Sequence, residues 1–294
     1  MKNKENNSKK FFFNTLWYIT VILLSIIMLM PFYWTIITSI RPNDEMFTQP
    51  IKWIPTHITF EHYKEVFNAV PFARYFLNSA ILGLGGVLTN LFFGSLAGYA
   101  FAKLNFKGKK TLFVTLLSSM MIPGIVTMIP SFLVLKHFPL VGGNNILGQG
   151  GNGFINTYWA ILLPGAAGAF AVFFMRQFFL TLPDELADAA RIDGCSEFEI
   201  FLRIYFPLTK PALATLGIMT FQAGWNSFLW PLIVLNSQEM MTIQVGLAAF
   251  TYNYGANYGP LMAGTVIATL PMLVVFMYAQ KYFIQGIAFS GIKN

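Results

Sequence analysis

Long apolar runs separated by short polar segments set the rhythm of this chain. The runs fall near residues 15–37, 75–102, 111–135, 157–175, 211–233 and 259–280, and none contains Asp, Glu, Lys or Arg. Each is close to, or longer than, the about 20 residues a helix needs to cross a hydrocarbon core. Each is also apolar all round, whereas a helix at the surface of a soluble core carries one apolar stripe. A charge at the bilayer centre costs about 2.5–3.5 kcal/mol on insertion scales, so its exclusion from all six runs is the pattern of membrane spans. The chain reads as an all-α polytopic membrane protein with six transmembrane helices.

The polar segments assign the orientation. Six spans place both termini on one side, and with that side cytosolic fourteen lysines and arginines lie inside. Five lie outside: Arg41, Lys52, Lys64, Arg74 and Lys136. That asymmetry follows the positive-inside rule. The net charge of +7 is therefore mainly a topology signal, and basic residues scattered over several loops do not form a nucleic-acid stripe. Only 11% of residues are charged, against about 25% in a soluble domain. The first apolar run exceeds a signal peptide's core of about 7–15 residues and lacks a small-x-small cleavage site, so it reads as an uncleaved anchor. The expected organisation is a cytosolic tail (1–14), a first span with a long outer loop (15–72), a membrane core (73–282) and a second cytosolic tail (283–294).

Metal and phosphate chemistry find little purchase. The single Cys195 excludes an internal disulfide and a cysteine metal cluster, and His57, His62 and His137 all fall in outer loops. The glycine-rich stretch 142–153 lacks the Lys-Ser/Thr ending of a phosphate-binding loop and is expected to be flexible.

One polar segment stands apart. Residues 181–211 hold six of the twelve acidic residues, and of the rest only Glu5 is cytosolic. Thr181, Pro183, Asp184 and Glu185 carry the marks of a helix start. Gly194 stands where that helix should stop. Ser196 and Glu199 have the spacing of a capping box for a second helix, on which Phe198, Phe201, Leu202 and Tyr205 recur at helical intervals. Pro207 and Pro211 are expected to end it. The segment predicts two short helices joined by a sharp bend at the cytosolic face. An interfacial helix that only anchors the loop among headgroups is the plainer reading. A magnesium–diphosphate site built on Asp184 and Asp188 would need a second acidic cluster, and no other cytosolic loop supplies one.

This insert resembles the EAA loop of bacterial ABC-importer permeases, which runs Glu-Ala-Ala, three residues, Gly, nine residues, Ile-x-Leu-Pro. Asp188, Ala189 and Ala190, then Gly194, then Ile204, Tyr205, Phe206 and Pro207 keep that spacing, with Asp188 in place of Glu and Phe206 in place of Leu. The surrounding ELADAARIDG and FEIFLRIYFPLTKPAL are similar to the carbohydrate-uptake branch, the maltose-transporter G-type permeases. The likeness continues through FQAGWNSF at 221–228 and QKYFIQG at 280–286. It implies a type I ABC-importer (MetI-like) permease fold in 73–282, with a coupling loop at 181–210.

It further implies a bacterial plasma-membrane subunit that moves a sugar or oligosaccharide inward and has no ATPase site, catalytic residue, cofactor or metal of its own. ATP and Mg would sit on two separate ATPase subunits. A second permease would complete a heterodimer, an extracellular or periplasmic solute-binding protein would deliver substrate, and membrane lipid would surround the spans. By the same resemblance Asp188, Ala189, Ala190 and Gly194 shape the docking bend, Phe198 and Phe201 root it beneath the membrane helices, and Ile204 and Pro207 complete the motif. Arg191 and Arg203 would pair with acids on the ATPase. The alternative, an ion-coupled secondary transporter, normally carries an ionisable group near the midplane, and the six runs have none.

Substrate-path candidates are Gln222, Trp225, Asn226 and Phe228, with Ser227, Asn78, Asn90 and Trp230 beside them. Aromatic faces and amides suit sugars. The same residue types also glue helices together or, for Trp230, mark a membrane interface. Gly94 and Gly98, with Pro123, Pro130, Pro164 and Pro271, read as packing and kink sites. Tyr252 and Tyr254, in the outer segment 238–258, are candidate contacts for a binding protein.

Overall fold

A computed structural model describes residues 2–46, 48–50, 52–253 and 258–291, with side chains for 10–248 (except 47 and 51) and 258–280 (except 279). Among the described residues every regular element is helical. Among the described residues four helices are long and apolar enough to cross a bilayer: Lys10–Ser39, Phe72–Lys103, Trp159–Phe179 and Tyr258–Tyr278. The expected run at 111–135 is a bent pair, Lys109–Ser119 and Gly124–Lys136, which meet at 107° and make a fifth span if counted as one. Pro123 stands at that bend in extended backbone, and a proline also pushes the residue before it out of the helical region. The run at 211–233 divides too, into Lys210–Trp225 and the short Leu229–Val234. A 16-residue helix is about 24 Å long, short of a roughly 30 Å hydrocarbon core.

The chain forms two compact units. The first comprises Met1–Val70 and Phe250–Ile267. Its N-terminal helix, Lys2–Ser39, takes in the expected tail as well as the span. Its outer segment folds around Arg41, which is buried although charged. The guanidinium donates to the Lys52 carbonyl and lies 5.3 Å from the Trp34 ring centre. His62 Nε2 donates to the Arg41 main-chain carbonyl at 2.8 Å, while Arg41 Nε is buried with no hydrogen-bond partner among the described residues.

The second unit comprises Pro71–Ala249 and Ala268–Asn294, and its spine is the Phe72–Lys103 helix. Gly94 and Gly98 admit the Ala169–Phe179 helix so closely that added Cβ atoms would lie 2.8 Å from the Ala171 and Met175 Cβ atoms. Small residues spaced by four are how membrane helices bring their backbones together. Trp159–Phe179 is interrupted at 166–168, and Asn90 spans the gap. Its Nδ2 donates to the Gly165 carbonyl at 2.6 Å and its Oδ1 accepts from the Gly168 N–H at 3.3 Å. Asn90 itself opens a π turn, Asn90–Gly94.

Asn78 performs the matching task near the other end of the spine. Fully buried, it donates to the carbonyls of Glu239 and Met241 and accepts from the Tyr158 hydroxyl, all at 2.8 Å. The glycine-rich loop, expected to be flexible, is instead tied down. Asn144 donates to the Lys136 and Phe138 carbonyls and accepts from the Gly151 N–H, while Asn145 accepts from Leu147 and Gln149. Its glycines supply left-handed turns at Gly142, Gly143, Gly148, Gly150 and Gly153.

Replacing Asn78 by Leu strands two carbonyls and a hydroxyl in a dry site. The expected loss is about 2–4 kcal/mol, a fall of roughly 5–10 °C in the unfolding midpoint of the purified protein in detergent. An unchanged midpoint would show that water reaches this site.

Candidate functional site

The insert is the bent helix pair its sequence predicts, with different ends. Its first helix, Glu185–Ile192, starts at Asp184 without a side-chain cap. Thr181, expected to cap it, instead donates to the Phe178 carbonyl and closes the preceding helix. The bend is a Schellman turn. Gly194 has φ +84°, its N–H donates to the Arg191 carbonyl, and the Cys195 N–H reaches back to Ala190. The capping box is complete: Glu199 N–H donates to Ser196 Oγ, and Ser196 N–H donates to Glu199 Oε2 at 3.0 Å.

The second helix does not end at Pro207. After Glu197–Ile200 it widens into a π turn, Phe201–Tyr205, and resumes as Phe206–Leu208 and then Lys210–Trp225. Pro207 and Pro211 fall in the opening turns of these segments, where a missing N–H leaves no bond unmade.

The insert sits on an aromatic nest. Tyr99 contacts Phe179, Phe201 and Tyr205 with ring centres 5.4–5.8 Å apart. Ala187 and Ala190 are buried against the same cluster, and Ile204 packs on its edge. Polar bonds fasten the rim. Lys103 Nζ donates to Asp184 Oδ1 at 2.5 Å and to the Leu182 carbonyl at 2.6 Å, while the Tyr205 hydroxyl donates to the Pro183 carbonyl. The Tyr99 hydroxyl donates to Glu197 at 2.9 Å. Arg191 then grips Glu197 with two nitrogens and Asp188 with a third. Expected to seek acids on a partner, Arg191 is committed to its own insert; Arg203 lies 3.6 Å from Glu199.

These pairs move proton affinities in consistent directions. The Lys103 hydrogen bond holds the Asp184 carboxyl below the usual carboxylate range. The Arg191 pair does the same for Glu197 and raises the guanidinium in return. The Ser196 N–H lowers Glu199. Burial raises the Tyr205 phenol.

The opposite face is bare. Ile192 is 87% exposed and Phe198 51%, with Leu186, Asp188, Ala189, Gly194 and Pro207 also open to solvent. The two rooting phenylalanines therefore part company: Phe201 is buried in the nest, whereas Phe198 touches it only through Phe201. Tyr99 and Lys103, which complete the seat, were not among the residues singled out in the sequence. Their one signal is a polar pair one helical turn apart at the end of an apolar run.

The substrate-path candidates separate as well. Trp225 is 1% exposed, stacks on Phe221 and donates its indole N–H to the Ala268 carbonyl; it is packing. Asn78 and Asn90 are committed to hydrogen bonds that hold the fold, and the Trp230 indole donates to the Ala160 carbonyl. Gln222, Asn226 and Phe228 remain exposed. The side chain of Tyr252 and all of Tyr254 lie outside the described residues. Among the described residues no three or more His, Cys, Asp or Glu side chains converge to hold a metal ion.

Residues 90–289 match the family model of the binding-protein-dependent transport system inner membrane component. The arabinooligosaccharides transport system permease protein AraQ of Bacillus subtilis (strain 168) is 38% identical over 275 residues, covering 92% of this chain and 93% of its own. The lactose transport system permease protein LacG of Rhizobium radiobacter is 33% identical over 269 residues, covering 92% and 93%. Two solved structures share the fold. One, of a bacterial ABC transporter involved in the import of the acidic polysaccharide alginate, has a TM-score of 0.78 at 24% identity and covers 92% of this chain and 96% of that chain. The other, of a bacterial alginate ABC transporter in complex with alginate pentasaccharide-bound periplasmic protein, has a TM-score of 0.63 at 16% identity and covers 90% and 92%. With more than half of its residues inside the family match, the chain belongs to the inner-membrane components of binding-protein-dependent transport systems.

Proposed function

We propose that the chain is a permease subunit of an ATP-driven importer for a sugar or oligosaccharide, and that its insert is the coupling helix docking on a separate ATPase. The observation that carries the docking is the insert's two-sidedness. One face is buried in an aromatic nest and strapped by ion pairs, while the other offers Leu186, Ile192 and Phe198 to solvent. A headgroup anchor needs no such rigid bend.

In this reading ATP and Mg bind two partner ATPases, whose closure moves the insert. Lys103 and Tyr99 pass that displacement to the Phe72–Lys103 helix, so this permease and a second one alternate between inward- and outward-facing states. The cytosolic placement of both termini follows from the lysine and arginine count. Relatives named for arabinooligosaccharides and lactose support the substrate class, and a relative of known structure bound to a periplasmic protein supports a solute-binding partner. Gln222, Asn226 and Phe228 are the remaining path candidates. The ion-coupled alternative gains nothing from the fold or the relatives.

Three outcomes follow for transporter reconstituted in vesicles. Ile192→Asp removes an apolar crest residue worth about 2–3 kcal/mol when buried. It should weaken ATPase association roughly 30- to 140-fold while leaving the permease's unfolding midpoint unchanged; normal substrate-stimulated ATP hydrolysis would refute docking at this face.

Gly194→Asp meets open space within the chain, so it adds backbone strain at positive φ, at most about 1–2 kcal/mol, and places a negative charge on the exposed docking bend. Uptake should be lost with the protein still inserted, and Gly194→Asn, of the same size and backbone preference but uncharged, should keep part of it. Wild-type uptake by Gly194→Asp would count against the bend.

The ionised Asp184 and Glu197 hold the seat fully above the ordinary carboxylate pKa near 4, and lose that contribution as pH falls through their lowered values. Backbone hydrogen exchange across 184–205, corrected for intrinsic rate, should be flat from pH 7 to 5 and rise below about pH 4. A rise already at pH 6 would remove these carboxylates from the seat.

A further inference from the structure

Beside the insert, where the spine helix ends and Lys109–Ser119 begins, lies a cavity of about 680 Å³ that the coupling reading does not use. Its rim is cationic: Lys109, Lys110 and Arg176 line it, and no carboxylate does. Among the described residues, none of the three forms an ion pair. Its floor is apolar, made by Phe101, Phe106 and Phe113.

Two of the three cations are held in place. Lys109 Nζ donates to the Leu104 carbonyl at 2.7 Å, closing the end of the spine helix. Arg176 Nε donates to the Phe101 carbonyl at 3.1 Å, and its guanidinium lies 4.1 Å from the Phe113 ring centre. Among the described residues its other two nitrogens have no hydrogen-bond acceptor. Lys110 is exposed. Three positive charges over an aromatic floor, next to the first turn of a membrane-spanning segment, match a ligand with an anionic head and an apolar body. The volume is much larger than one phosphate ion.

We propose that this cavity is a specific site for an anionic phospholipid of the cytosolic leaflet, the phosphate on Lys110 and Arg176 and the glycerol and upper acyl chain on the phenylalanines. The leaflet rests on the orientation given by the basic residues; the site itself does not depend on the coupling role of the insert. Basic pockets between membrane helices on the cytosolic side suit such headgroups, and each cation near the surface contributes about fivefold in affinity.

Native mass spectrometry of the purified complete transporter tests this, with dioleoylphosphatidylglycerol and dioleoylphosphatidylcholine as probes. Among the described residues the exposed Lys110 side chain makes no hydrogen bond or ion pair, so its variants should fold. Wild type should retain phosphatidylglycerol over phosphatidylcholine; Lys110→Gln should lower retention about fivefold and Lys110→Glu about 25-fold, with Lys110→Arg restoring it. Lys136→Glu, at the far end of the bent pair, should leave retention unchanged. Equal retention by wild type and Lys110→Glu would overturn the site. So would displacement of the lipid by an equal excess of inorganic phosphate, which would make it a free-anion site. Loss of coupling in the Ile192 or Gly194 variants leaves this readout untouched, so the two proposals fail separately.

Discussion

A helix interrupted inside hydrocarbon has no water to complete it, and every freed N–H and carbonyl must find a partner in the protein. The second unit meets that constraint with asparagine. Asn90 bonds the two backbone groups released by the break in Trp159–Phe179, and Asn78 takes two carbonyls from the segment after Leu229–Val234. Both stand on the Phe72–Lys103 helix. The broken spans are therefore located by one unbroken-looking rod, which itself yields only in the π turn where Asn90 sits. Residue types that suit sugar binding are here spent on architecture.

The same rod ends under the insert. Lys103 and Tyr99 reach it by hydrogen bonds, and the Tyr99 ring fills the nest between Phe179, Phe201 and Tyr205. Because Arg191 ties both helices of the insert to each other through Asp188 and Glu197, the insert responds to force as one block. The ion pairs are largely exposed and individually weak; the buried aromatic and alanine contacts beneath them carry the attachment.

Much of this was legible in the residues. Charge-free apolar length located the four long helices and the bent pair, though not the division of the run at 211–233, and Gly194, Ser196 and Glu199 announced the bend because turn and cap chemistry is local. What failed was non-local. Thr181 is the exception, a local ambiguity: its hydroxyl could serve either the helix before it or the one after, and it bonds back to Phe178. Pro207 reads as a terminator until a π turn lets the helix restart around it. Trp225 looks like a sugar platform until Phe221, Phe76 and Ala268 close over it. Tyr99 and Lys103 carried almost no sequence signal, since their role exists only once residues eighty positions away fold against them.

The glycine-rich loop has a consequence for how this chain tolerates change. Composition marks it as the place where substitutions should be harmless. Yet a Cβ at Gly142 would sit 2.0 Å from the Gly153 carbonyl oxygen, and one at Gly148 equally close to that of His137. Variation among descendants of this sequence should therefore be sparse at those two glycines and freer on the exposed faces of the helices beside them, the reverse of the usual division between loop and helix.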